Sequence, residues 1–309
     1  MTPPDASGSS PESAGENPGN PGNSGSPGHS GSPGNRWSDL DRPPLNAAAL
    51  RRALVREGGL WTSLDVVAST GSTNTDLAAA PALTEGTVLV AEAQTQARGR
   101  LDRRWSAPAR SGLFFSLYVE PGAGVPVERW GWLPLLTGVA VATGLSRAAG
   151  VDTALKWPND LLVTVEGEER KAGGILAERV GDGVVIGVGL NVTLRADELP
   201  VPTAGSLALA GAATLDRDPL LRAVLRSFEQ WYGYWRTSGG DPAASRLQEA
   251  YAAGCSTLGR PVRAELPGGH VLTGEAVAVD GDGRLVLATA EGVQQPVGAG
   301  DVVHLRPQG

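Results

Sequence analysis

The spacing of apolar side chains changes character twice along the chain. Residues 1–36 are mostly Gly, Pro, Ser and Asn and hold almost nothing that can be buried. Such a stretch cannot offset its own ordering entropy, so residues 1–44 are predicted to form a disordered tail. Glycine recurs every third residue from Gly19 to Gly34, but this collagen-like register is too short and irregular for a triple helix. No helix-turn-helix can be made from it either. From Leu45 the pattern turns amphipathic. Asn46 is placed to cap an Ala- and Leu-rich helix reaching about Arg56, and residues 60–68 read as a strand. Ser72, Thr73 and Asn74 stand before a short helix over 76–80. Residues 87–91 and 113–119 are strand-like, and 130–149 form a long, largely buried helix. Four β-prone runs follow, at 154–157, 161–165, 174–179 and 184–192, with a charged hairpin tip at 166–169. Helices over 219–236 and 242–252 complete an α/β domain spanning 45–255.

The texture changes again near residue 256. Five short alternating runs (262–266, 271–279, 285–289, 293–297 and 302–305) are separated by Pro-Gly-Gly, Asp-Gly-Asp-Gly and Glu-Gly turns, with no helical period. This predicts a small β-barrel over 256–309 as a second domain.

Composition narrows the chemistry. A net charge of -7 over 309 residues argues against a generic nucleic-acid binder. One cysteine, Cys255, and three scattered histidines leave no metal site built from the protein alone. A magnesium ion carried in on phosphates needs few protein ligands and stays open. No basic cluster or apolar run follows Met1. The longest apolar stretch, near 133–145, is broken by Pro134, Gly138 and Gly144 and is too short to span a bilayer. The chain is therefore expected to be cytoplasmic and free of membrane.

Only two of the 26 basic residues are lysine, Lys156 and Lys171. They lie within sixteen residues of each other, beside Gly, Pro, Asn and Asp, in Lys156-Trp157-Pro158-Asn159-Asp160 and Lys171-Ala172-Gly173-Gly174-Ile175-Leu176. A compact ammonium does what a planar guanidinium cannot, which favours a functional reading, more strongly for Lys171. Residues 91–105 put Arg98, Arg100, Arg103 and Arg104 around Gly99 and ahead of Trp105. Guanidinium groups can grip phosphate, and an indole can cover a purine. The same segment also reads as a solvated loop with a core Trp, or as an RNA-contacting patch. Gly71-Ser72-Thr73-Asn74 alone is an ordinary helix cap, and Gly187-Val188-Gly189-Leu190-Asn191 a buried strand whose glycines admit a neighbour.

In order, these pieces resemble the biotin protein ligase family (biotin–acetyl-CoA-carboxylase ligases) over about residues 60–305. The resemblance implies a catalytic domain like that of class II aminoacyl-tRNA synthetases, with a mixed sheet, followed by an SH3-like barrel. It implies activation of biotin by ATP with Mg2+, giving biotinyl-5′-AMP, and transfer to a lysine of a biotin carboxyl carrier domain of acyl-CoA carboxylases. By position, Lys171 and Arg100 match the catalytic cations. Ser72, Thr73, Asn74, Gln94, Arg98, Gly99, Arg100, Lys171 and Gly174 match the biotin contacts. Arg98, Arg100, Arg103, Trp105, Asn159, Asp160 and Asn191 match the ATP and adenylate contacts. Lys156 fits a structural ion pair or a phosphate contact. The chain departs from the family loop at Ala97 and Asp102, where glycines are usual. If either position needs a positive φ, a Cβ there would loosen the closed loop. Without a winged helix no operator DNA is expected, and the assembly is read as a monomer or weak homodimer. A lipoate- or octanoate-transferring relative is the nearest alternative, and an RNA- or phosphate-binding module a more distant one.

Overall fold

A computed structural model describes residues 42–100, 103–266, 269–298 and 301–305. The expected tail up to residue 41, and Asp102 of the arginine-rich loop, lie outside these. Residues 42–44 were assigned to the tail by sequence, yet they are fastened down. The buried Arg42 donates to Thr193 O and pairs with Glu198, and Pro43 O accepts from Arg217 Nη2 at 2.6 Å.

Seven strands make the main sheet: β1 (Ser63–Val67), β2 (Thr87–Ala91), β3 (Gly112–Val119), β4 (Thr153–Lys156), β5 (Asp160–Val165), β6 (Glu168–Val180) and β7 (Gly183–Asn191). Their order is β1-β2-β3-β7-β6-β5-β4. Only β1 and β2 run parallel, joined through the short helix α2 (Thr73–Ala78); every other neighbour is antiparallel, so the sheet is mixed. The remaining helices are α1 (Ala47–Leu54), α3 (Trp132–Ala149), α4 (Arg217–Thr237) and α5 (Leu247–Gly254). Asn46 Oδ1 accepts from Ala49 N and starts α1, while Gly150 in the left-handed region closes α3. Helix α5 is shorter than its apolar spacing predicts, because residues 242–246 are wound into turns ahead of it.

Helices α3 and α4 cover one face of the sheet. Leu133, Leu136, Val139, Leu221, Val224 and Phe228 are buried there with Leu155, Leu161, Ile175 and Val188 of the strands. A Cβ on Gly144 would stand 2.9 Å from Val224 Cα, so the two helices cross at backbone contact. Strand β6 runs six residues further toward its N-terminus than its apolar run suggests. Glu169 and Arg170 are held opposite Thr164 and Val163 by ladder bonds, which carry no hydrophobic signature. Its hairpin with β5 turns through Glu166 and Gly167, both with positive φ, so the tip is tighter than the predicted four residues.

Five strands, β8 (Pro261–Glu265), β9 (Val271–Val279), β10 (Leu285–Ala288), β11 (Gln294–Val297) and β12 (Asp301–His304), form a separate antiparallel sheet in the order β11-β10-β9-β8-β12. Its inward residues, among them Val262, Ala276, Leu285 and Leu287, join the core of the α/β body. Two buried indoles sew the parts together: Trp157 Nε1 donates to Gly283 O and Trp132 Nε1 to Gly281 O, each at 3.0 Å.

A buried ion pair anchors the chain entry. Arg217 Nη1 lies 2.7 Å from Glu92 Oε2, and Glu92 Oε1 accepts from Leu45 N at 2.6 Å. Both side chains are under a tenth exposed. Removing one partner strands the other charge away from water. Glu92→Ala should therefore cost about 3–5 kcal/mol in denaturant unfolding. The Glu92→Ala/Arg217→Ala double should cost less than the two singles summed.

Candidate functional site

The face of the sheet turned away from α3 and α4 carries a row of missing side chains. Antiparallel register aligns Gly189 of β7 with Gly174 of β6, and Gly174 with Asp160 of β5. One step along, Gly187 aligns with Ser116 of β3 and with Leu176 of β6. Strand alternation puts Gly187, Gly189 and Asn191 on this one face. The glycines admit specific neighbours. A Cβ on Gly187 would stand 2.1 Å from Asn74 Oδ1, and one on Gly189 would be 3.2 Å from Trp105 Cε2. The indole thus lies over Gly189, and a Cβ on Gly174 would stand 3.9 Å from its Cζ3. Above this floor is a cavity of about 290 Å³.

Lys171 reaches that cavity through a β-bulge. Alternation would put residues 171 and 174 on opposite faces. In β6, however, Gly173 pairs with Leu161 and Lys171 with Leu162, leaving Ala172 as the extra residue. Ala172 is fully buried in the core and Gly173 also faces it, so Lys171 returns to the side of Gly174. Beyond the bulge the backbone of Lys171 is held by residues 203–205: its N–H donates to Thr203 O and its carbonyl accepts from Gly205 N, both at 2.8 Å. Its Nζ lies 2.6 Å from Asp160 Oδ1.

The facing wall is the start of α2. Ser72 caps it, its Oγ 3.5 Å from Thr75 N, and Thr73 N donates to Gln94 Oε1 at 2.8 Å. Thr73 and Asn74 are themselves the first helical residues, so the helix starts three residues earlier than its alanines indicate. A small hairpin forms the roof. Gly99 N donates to Arg103 O, Trp105 N to Ala97 O, and Arg98 bridges to Arg104. Arg98 Nη2 meets Glu178 Oε1 at 3.1 Å and Thr75 Oγ1 at 3.2 Å. Ala97 is not among the residues with positive φ, so its Cβ introduces no backbone strain in this conformation.

Ser72, Thr73 and Asn74 line the cavity from the start of α2, Gln94 from the segment after β2, and Arg98, Gly99, Arg100, Arg103 and Trp105 from the hairpin. Asn159, Asp160, Lys171, Gly174 and Asn191 line it from the sheet. Asn159 braces β6, its Nδ2 donating to Ile175 O and its carbonyl accepting from Ile175 N, each at 2.9 Å. Asn191 donates to Gly205 O at 2.9 Å, while its buried Oδ1 has no hydrogen-bond partner. Lys156 does not line the cavity. Its charge acts on His304, whose imidazole is pushed down to about 4 by burial and by the cations Lys156 and Arg260.

Three parts of the site escaped the sequence reading. Ser116 is one polar residue inside the apolar strand Leu113–Val119, a signal that was legible. Glu178 lies unremarked inside the β-prone run 174–179. Pro200, Val201, Thr203 and Ala204 also line the cavity, but no motif marks them.

A cleft floored by glycine, roofed by arginines and holding one lysine against one carboxylate belongs to α/β proteins that handle anionic small molecules. The model of the Biotin/lipoate A/B protein ligase family matches residues 64–191, and that of the Biotin protein ligase C terminal domain matches 257–305. The chain is 44% identical over 271 residues to the biotin–[acetyl-CoA-carboxylase] ligase of Mycobacterium tuberculosis, covering 86% of this chain and 97% of the relative. It is 36% identical to the bifunctional ligase/repressor of Bacillus subtilis, covering 75% of this chain and 70% of the relative. The structure of the Aquifex aeolicus biotin protein ligase in complex with biotin and ATP superposes with a TM-score of 0.66 at 27% identity, covering 80% of this chain and 100% of that one. The chain belongs to the biotin protein ligase family.

Proposed function

We propose that the protein is an ATP-dependent ligase that activates biotin as biotinyl-5′-AMP and transfers it to a lysine of a biotin carboxyl carrier domain. The observation that carries this reading is the Lys171–Asp160 pair, 2.6 Å apart, in a cavity shared with the arginine hairpin and Trp105. In the first step a biotin carboxylate oxygen bonds to the α-phosphorus of ATP, and the bond to pyrophosphate breaks. Negative charge grows on the phosphate oxygens, where fixed cations stabilise it most. Lys171 supplies a point donor between carboxylate and phosphate, and Arg100 a second cation from the roof. Arg98, Gly99 and Arg103 cover the adenylate against water. Trp105, standing over the glycine floor, offers its face to the adenine; Asn191 and Asn159 hold the backbone of residues 205 and 175 beside it. In the second step the acceptor amine attacks the acyl carbon, an amide forms and AMP leaves.

Magnesium fits as a passenger on the triphosphate, whose charge it would neutralise. Among the described residues no cluster of three metal-binding side chains exists, and Asp160 is the carboxylate lining the cavity. Ser72, Thr73, Asn74, Gln94 and Gly174 are assigned to the biotin end. Activity as a ligase without operator binding belongs to the same reading. No helix among the described residues is long and apolar enough to cross a membrane; a cytoplasmic setting is part of the proposal. A monomer or weak homodimer and a two-domain division near residue 256 complete the reading.

The test is an avidin blot after incubation with ATP, magnesium, biotin and an acceptor domain, with lipoate and octanoate in parallel tubes. Biotin alone is expected to label the acceptor. An unlabelled acceptor with biotin, or faster pyrophosphate release with lipoate, would overturn the proposal.

A further inference from the structure

Behind the α2 wall runs a line of hydrogen bonds whose direction can be worked out by counting protons. Asn74 Nδ2 lies 3.1 Å from Leu176 O and 2.8 Å from Glu178 Oε2. A backbone carbonyl accepts only, as does a carboxylate paired with Arg98, so this end of the amide must be the NH₂. Asn74 Oδ1 therefore faces Ser116 Oγ, 2.6 Å away. Ser116 Oγ also lies 2.7 Å from Thr73 Oγ1. Two oxygen–oxygen contacts this short each need a proton between them. Asn74 Oδ1 has none to give, so the serine proton goes to Asn74. The second contact must then hold the proton of Thr73, donated back to Ser116. This leaves the 3.2 Å approach of Thr73 Oγ1 to Gln94 Oε1 without a proton. Gln94 Oε1 is held instead by Thr73 N–H, at 2.8 Å. With its oxygen taken, Gln94 has its Nε2 left to donate.

We infer that Ser116 is a specificity-determining positioning residue: it locks the Thr73 hydroxyl as an acceptor beside a Gln94 donor, a wall polarity that selects a cyclic urea. Ser116 is fully buried and does not itself line the cavity, so it acts through Thr73. An acceptor next to a donor complements the N–H and C=O of one half of a ureido ring. A ring atom that presents a lone pair to Thr73 would meet another lone pair, because the one hydroxyl proton is committed elsewhere. Sites that leave a polar group facing its own kind discriminate far more sharply than apolar pockets do. This inference rests on the ligase reading, since it assigns the α2 wall to the biotin head.

The experiment is a competition in one tube between biotin and each of two analogues in which one ureido N–H is replaced by a ring oxygen. Pyrophosphate release by wild type with biotin alone is the first control; if it is absent, the ligase reading fails. Wild type should prefer biotin over at least one analogue by about a hundredfold in kcat/KM. Ser116→Ala frees the Thr73 proton to turn toward the ring oxygen. It should shrink that preference about tenfold, chiefly through the KM for biotin, with kcat within about twofold. A ratio measured in one tube does not depend on how much of the variant is folded, so partial instability leaves the test intact. Thr73→Ser keeps the hydroxyl and should keep the wild-type ratio. If Ser116→Ala turns over biotin with an unchanged preference against both analogues, the relay assignment is wrong.

Discussion

Lys171→Ala should lower biotin-dependent pyrophosphate release by about 10²–10³-fold, the range for loss of one preorganised donor to a developing anion. The fold should survive. Lys171 is over a third exposed, its backbone bonds to residues 203–205 do not involve the side chain, and Asp160 keeps access to solvent. Lys171→Arg should recover less than about a tenth of the lost rate, although it keeps the charge. A fork is longer than an ammonium, and Asp160 Oδ1 stands only 2.6 Å from Nζ, so the guanidinium would have to swing out over the floor where the substrates lie. Stopped-time assays of pyrophosphate, with circular dichroism as the check on folding, decide this. A Lys171→Arg enzyme near wild-type rate would show that only charge matters at this position.

Gly187→Ala is expected to raise the KM for biotin by about 10²-fold and to cost about 1–3 kcal/mol of stability. The new methyl would overlap Asn74, with Oδ1 at 2.1 Å and Cγ at 2.8 Å. That amide cannot move freely, because Ser116, Leu176 O and Glu178 hold it on three sides. The methyl thus breaks the start of α2 away from the sheet. Gly174→Ala is the contrast: its Cβ would meet Lys171 Cε at 3.6 Å, an ordinary contact, and stability should stay within about 0.5 kcal/mol. Truncating the obstacle should separate the two effects of Gly187→Ala. In the Asn74→Ala/Gly187→Ala double, melting temperature should rise again while biotin KM stays high.

Much of this was legible because local rules and tertiary demands agree. Apolar runs such as Thr87–Ala91 and Val271–Val279 became strands at those bounds, since nothing competes with them. Trp132–Ala149 starts two residues later than its apolar pattern indicates, because residues up to Gly131 are wound into a 3-10 turn, Val127–Gly131, that follows Pro126. The motif residues stood out by rarity, lysine among arginines and glycines in a strand. What stayed hidden depends on pairing across the sheet. No local pattern says that Ala172 is the extra residue, because the bulge exists only against Leu161 and Leu162. Nor does sequence reveal that Glu178 serves Asn74, 104 residues away. The separate roles of the two lysines needed geometry too, as they share a motif region but only one faces the cleft.

The bulge makes Lys171-Ala172-Gly173-Gly174 a register-coded element rather than a composition-coded one. Exchanging Ala172 for another small apolar residue changes only what fills a pocket in the core. Were Ala172 to take the place opposite Leu162 that Lys171 holds, the ladder would alternate perfectly and by that very regularity turn the ammonium away from the cleft and into the hydrocarbon beneath α3. The irregular ladder is thus what keeps the charge in water, and a one-residue slip to the tidier register would bury it.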